Sequence, residues 1–152
     1  PLYSSAASDV YKRQPTFCTP SKYDSFAADV KSQVAAGNLS APTLFRLGFH
    51  HCNIGTAFGL GYGCNGGWLH YDVDAQAGQN AGLPYTLDTL ENLRTSGGYQ
   101  CMTHADMYTF SGALGLELGG GPAIAWYPGR ADPPSRFVVS ERSKSFPLTF
   151  FD

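Results

Sequence analysis

Apolar residues recur at helical spacing in four stretches of the chain, with polar or glycine-rich text between them. Phe26, Val30 and Val34 step by four residues after Ser21-Lys-Tyr-Asp24, which has the shape of a capping box, and Gly37 supplies a stop. A first amphipathic helix is predicted there. A second is expected from Ala41 to about Asn53, with Pro42 in its first turn and Leu44, Leu47 and Phe49 as apolar surface. Leu83, Leu87, Leu90 and Leu93 mark a third, buried helix to about Arg94, closed by Gly97-Gly98. Thr103 would cap a fourth, the core helix, which runs to about Leu118 with Met107, Phe110, Leu114 and Leu118 inward and Gly119-Gly-Gly-Pro122 as its stop. Residues 54–79 carry Gly55, Gly59, Gly61, Gly63, Gly66 and Gly67, too many breakers for a long element. They read as a loop, with short strand only around Trp68–Val73. The fold class is therefore all-helical, with a long Gly-rich loop and little or no strand.

Composition narrows this picture. At 152 residues, 43% hydrophobic and 14% charged, the chain fits one globular domain with its own core. A formal charge of −2 and the lack of any basic run argue against nucleic acid or an anionic membrane surface as partner. No apolar run reaches membrane-spanning length. The chain opens on Pro1 and its methionines are Met102 and Met107, so the natural start is expected to lie outside it, and the lack of a signal peptide carries no information. Ser4 to Gln14 reads like a translated sequencing-adapter scar, so residues 1–14 are set aside from the fold. Cys18, Cys52, Cys64 and Cys101 are even in number and allow three pairings, which favours an oxidising compartment. Four free buried thiols in an intracellular protein are the alternative. Asn38-Leu-Ser40 is a glycosylation sequon, which agrees with secretion.

The strongest chemistry sits on the second helix. Arg46 and His50 are four residues apart and share a face, beside Cys52. A permanent cation next to the side chain that exchanges protons near neutral pH is equipped for proton shuttling with charge stabilisation. Other signals are weaker. Gly61-Tyr-Gly63-Cys-Asn-Gly66 fits G-x-G-x-x-G but leads into Trp68-Leu-His-Tyr rather than a helix, so the dinucleotide context is absent. His50, His51, Cys52 and Cys64 make a poor zinc set, because consecutive residues cannot easily supply tetrahedral ligands. His70 and His104 read as surface or core histidines, Asp106, Arg130 and Asp132 as structural charges in a buried network, and Trp126 as core.

Arg46-Leu-Gly-Phe-His50-His-Cys52 resembles the distal-side helix of the non-animal (plant, fungal and bacterial) haem peroxidases, whose pattern there is R-L-x-F-H-D-C. Further matches follow in order. Gly63-Cys64-Asn65-Gly66-Gly67 resembles that family's G-C-D-G-S turn, Gln79-Asn80-Ala81-Gly82-Leu83 its N-A-G-L segment, and His104-Ala105-Asp106 its C-A-D or H-A-D. Gly120-Gly121-Pro122 and Pro128-Gly129-Arg130-Ala131-Asp132 complete the series. The likeness covers roughly residues 18 to 133, and an ordered series of motifs is far more specific than one. It implies a distal helical half-domain over residues 15–133, a divergent or artefactual tail over 134–152, and a haem b cofactor. Hydrogen peroxide and a small-molecule reductant would be the partners.

The resemblance also assigns roles. His50 would accept and return a peroxide proton, Arg46 would stabilise charge on the leaving oxygen, and Phe49 would pack against the porphyrin. Asn80 would receive the other ring N–H of His50 and fix its tautomer; as a lone residue it would instead cap the helix beginning near Leu83. In secreted members two bridges correspond to Cys52–Cys64 and Cys18–Cys101, each worth about 2 to 4 kcal/mol. Where that family ligates a distal calcium, this chain has His51, Asn65 and Gly67, which lack the charged oxygens calcium prefers, so that site is expected to be lost or weak. No histidine after His50 suits the proximal iron ligand: His51 and His70 lie too near the distal motif, and His104 aligns elsewhere. The chain by itself is therefore expected to bind haem weakly or not at all and to show little activity. A non-catalytic secreted interaction domain on the same scaffold is the alternative; retention of Arg46, His50 and Asn80 argues for the enzyme.

Overall fold

The computed structural model describes residues 18–57 and 80–132. These form four helices and, among the described residues, no strand: α1 (Pro20–Ala35), α2 (Ala41–Ala57), α3 (Leu83–Ser96) and α4 (His104–Leu118). The all-helical expectation holds. The expectations for residues 1–14, the strand around 68–73, His70, and the tail over 134–152 fall outside the described residues, as does most of the Gly-rich loop.

Helix α1 starts one residue before the expected capping box. Pro20 occupies the first turn, where its fixed φ suits a helix and its missing N–H leaves nothing unsatisfied. Thr19 is the extended N-cap, and its hydroxyl meets Ser21 Oγ at 2.9 Å instead of capping the backbone. Tyr23, Phe26 and Val30 are buried on one face, and the chain leaves the helix through Gly37 at φ +77°. Ser40 caps the start of helix α2, its Oγ accepting from the Thr43 amide at 3.3 Å. It runs four residues beyond the expected end, to Ala57, and so takes up the first part of the segment expected as loop. One interior glycine, Gly55, costs a helix about 1 kcal/mol and does not by itself stop it.

Helix α4 is the core element, with Ala105, Asp106, Met107, Tyr108, Ser111, Gly112, Leu114 and Gly115 all buried. Its most extensive neighbour is α2, and the contact is made backbone to backbone. A Cβ on Gly48 would stand 2.7 Å from the Gly112 Cα, and one on Gly112 would stand 2.6 Å from the Gly48 Cα. One turn further, a Cβ on Gly115 would meet Leu44 Cβ at 2.7 Å. Only glycine permits so close an approach. Leu44 and Leu47 from α2, Leu83, Leu87 and Leu90 from α3, and Met107 and Leu114 from α4 close the core around it.

Thr103 caps α4 as expected, accepting from the Asp106 amide at 3.1 Å. Asp132 reinforces that end: its carboxylate accepts from the His104 and Ala105 amides at 3.0 and 2.8 Å, placing negative charge at the positive pole of the helix. Asp106, fully buried, accepts from the Gly129 and Arg130 amides at 2.8 and 3.1 Å and from the Arg130 guanidinium at 3.3 Å. Residues 121–132 are thereby strapped across α4. Trp126 packs on Phe110 and Tyr23, with centroids 4.6 and 5.2 Å apart, and donates to Thr109 Oγ1 at 3.0 Å. Asp106, Arg130, Asp132 and Trp126 thus do the structural work expected of them. A disulfide joins Cys18 to Cys101 with Cα atoms 5.1 Å apart, tying the start of α1 to the segment before α4. The Cys52–Cys64 pairing lies outside the described side chains.

Candidate active site

Helix α2 presents Arg46, Phe49 and His50 on its outer side, opposite the Leu44 and Leu47 face that enters the core. Because the Gly48–Gly112 crossing fixes α2 against α4 from behind, the direction of this outer face is set by the fold. The turn 80–82, which leads into α3, supplies the partners. His50 Nδ1 lies 2.8 Å from Asn80 Oδ1, and Arg46 Nη2 donates to the Ala81 carbonyl. A carbonyl oxygen can only accept, so this bond places the ring proton on Nδ1 and leaves the Nε2 lone pair free. Asn80 is 1% exposed and is not a helix cap; the N-cap of α3 is Gly82, in the left-handed conformation at φ +82°. Of the two readings of Asn80, the geometry shows the contact with His50. The Ala81 carbonyl and the backbone of Gly82 carry no side-chain signal, and sequence reasoning misses both.

The surroundings of the pair are apolar and open. Phe45 and Phe49 are 50% and 59% exposed, one turn apart and flanking Arg46. Arg46 Nε is buried with no hydrogen-bond partner among the described residues. A donor awaiting an acceptor beside an uncovered aromatic pair fits a flat apolar group that carries a small anionic or polar ligand. Haem with peroxide has that character.

His51, next along the helix, faces the other way. It is 2% exposed and packs edge-on against Tyr108 of α4 at 6.0 Å between centroids. Burial pushes its ring down to about 4, and the Arg130 charge pushes in the same direction. A buried neutral imidazole near a guanidinium is a poor calcium ligand; Asn65 and Gly67 lie outside the described residues. No three His, Cys, Asp or Glu side chains gather as a metal site among the described residues.

A second polar group joins α3 to the start of α4. Arg94 holds Glu91 at 2.8 and 2.9 Å, Glu91 lies 3.1 Å from His104 Nε2, and His104 Nδ1 lies 2.9 Å from Asp132. Burial would raise the Glu91 carboxyl, but Arg94 and His104 outweigh it and hold it below the ordinary value. Asp132 is likewise held low by His104 and two amides against the opposing effect of burial. His104 is thus a partly buried structural histidine between two carboxylates.

Comparison with known proteins gives the chain a family. The Peroxidase family profile matches residues 26–149. The chain is 35% identical over 91 residues to the mitochondrial cytochrome c peroxidase of Emericella nidulans, covering 60% of this chain and 25% of that one. It is 34% identical over 92 residues to the mitochondrial cytochrome c peroxidase of Aspergillus fumigatus, covering 60% and 24%. A protein of Oryza sativa subsp. japonica named as a peroxisomal L-ascorbate peroxidase is 34% identical over 95 residues, covering 60% and 31%. The chain therefore spans about a quarter to a third of the length of these curated relatives.

Proposed function

The chain belongs to the peroxidase family, and from that premise we propose that it is the distal half of a haem peroxidase whose full-length parent reduces hydrogen peroxide and oxidises a small donor in one-electron steps. When bound, haem b supplies the iron and the electron-transfer chemistry. Arg46, Phe49 and His50 would line its distal side, and the exposed ring of Phe49 offers the apolar contact. His50 takes the proton from one peroxide oxygen on Nε2 and returns it to the other. Asn80 holds Nδ1–H throughout, so the ring neither flips nor presents the wrong nitrogen. Arg46 stabilises negative charge on the departing oxygen as it develops, which lowers the barrier without tightening the ground state. Phe45 and Phe49 offer apolar surface beside both.

The observation that carries this reading is the 2.8 Å contact between His50 and Asn80, because it prepares the imidazole as a base on the nitrogen facing away from the turn. Among the described residues, His51 is buried against α4 and His104 is held by Glu91 and Asp132, so neither is disposed to ligate iron from the opposite side. Weak haem binding and little turnover are expected of the chain alone. The Cys18–Cys101 bridge supports an oxidising compartment such as the secretory route. The test is haem reconstitution of the full-length parent and rapid mixing with peroxide while following the Soret band. His50→Ala and Arg46→Ala should each slow the reaction by roughly 10²–10⁴-fold. Unchanged rates in both variants would refute the roles.

A further inference from the structure

Two consecutive residues receive both side chains of the pair. Asn80 offers a side-chain oxygen to His50, and Ala81 offers a main-chain oxygen to Arg46. Both oxygens belong to the two residues that directly precede Gly82. Leu83 is fully buried and anchors the start of α3, so the φ of residue 82 decides where the 81–82 peptide plane points, and with it the Ala81 carbonyl and the Asn80 backbone upstream. That φ is +82°, a conformation L side chains rarely adopt. Space is a lesser demand: a Cβ at 82 would stand 4.0 Å from Arg46 Nη2, in ordinary contact. It would nevertheless begin to fill the opening beside the guanidinium.

We propose that Gly82 is a positioning residue for Arg46 and His50 together: its left-handed backbone sets the 80–82 turn so that one dihedral fixes both the imidazole tautomer and the guanidinium direction. The inference rests on the peroxidase reading for its purpose, since only a reaction that moves a proton and builds charge at once needs the two groups set in common. Two independent hydrogen bonds would fail one at a time. A shared hinge loses both.

The test uses the full chain without haem or peroxide, labelled with ¹⁵N at histidine and arginine and observed by NMR at a pH where His50 is neutral. Wild type should show His50 with its proton on Nδ1 and slow exchange at the Arg46 guanidinium. In Gly82→Ala the His50 tautomer ratio should move about fivefold toward Nε2–H, the change one neutral hydrogen bond is worth, and Arg46 N–H exchange should quicken by a similar factor. Gly82→Asn, which tolerates positive φ, should restore both toward wild type. Asn80→Ala gives the signature of a released ring. If Gly82→Ala does not fold in buffer, it is refolded in trimethylamine oxide and read there. A folded Gly82→Ala in which either readout stays at its wild-type value overturns the proposal, even if its thermal stability has dropped. Since neither readout involves haem, failure here leaves the peroxidase reading standing, and an inactive reconstituted parent leaves this result standing.

Discussion

His50 and His51 are covalent neighbours with opposite surroundings, and the contrast gives a pH prediction. The folded value of His51, about 4, lies below its ordinary 6.5, so as pH falls the unfolded chain takes up the proton first. The stability due to a neutral His51 is complete above pH 6.5 and is lost between 6.5 and 4, a drop of about 3 kcal/mol. Glu91 and Asp132, both held low, keep their contributions until pH falls below their ordinary values of 4.5 and 3.8. Urea unfolding from pH 7 to 4.5 should therefore show a loss that His51→Gln flattens. Equal steepness in the variant would assign the loss to another group. The shared face of Arg46 and His50 and the nearness of Asn80 to the imidazole are legible in the sequence, because spacing and motif order survive in one dimension. The seat of His51 is not, because its burial depends on Tyr108 of a helix more than fifty residues away. Nor is the grip on Arg46, since a main-chain oxygen and a left-handed dihedral have no side chain to announce them.

Among the helices, α4 fixes α2 from behind, because nothing separates their backbones at Gly48 and Gly112. Gly112→Ala should lower stability by about 1–3 kcal/mol, since neither backbone can yield, although alanine would favour an isolated helix. By thermal denaturation followed by circular dichroism, the midpoint should fall by about 2–10 °C. A midpoint that rises would mean that propensity rather than contact governs this position. Periodicity finds all four helices, because each buries one stripe or, for α4, most of its surface. Their ends are harder to read. Gly55 argues for a stop that the helix overrides, and Ser21-Lys-Tyr-Asp24 imitates a cap one residue inside the true start at Pro20. The glycines of the crossing look like weaknesses in the sequence; they are contacts only once the partner helix is in place.

In the molecule as a whole, the disulfide and the 121–132 strap converge on one place. Cys18 is bonded to Cys101, and Asp132 grips the amides of His104 and Ala105. The bridge closes a loop of 83 residues that contains three of the four helices. In the chain-entropy view, the double variant Cys18→Ser, Cys101→Ser should therefore lose about 4 kcal/mol, read as a lower denaturant midpoint. An unchanged midpoint would show that the reduced chain is already held by α1 packing. None of the four helices is long and apolar enough to cross a membrane. The family and its helical class are legible from ordered motifs, whereas the convergence of both flanks is not, because it joins residues far apart in the chain. Tension applied between Cys18 and Asp132 would travel through the disulfide, along 101–105 and out through the Asp132 carboxylate. The shortest load path bypasses α1, α2 and α3. Arg46 and His50 would stay slack while the flanks are pulled, until the weak link at Asp132 gives way.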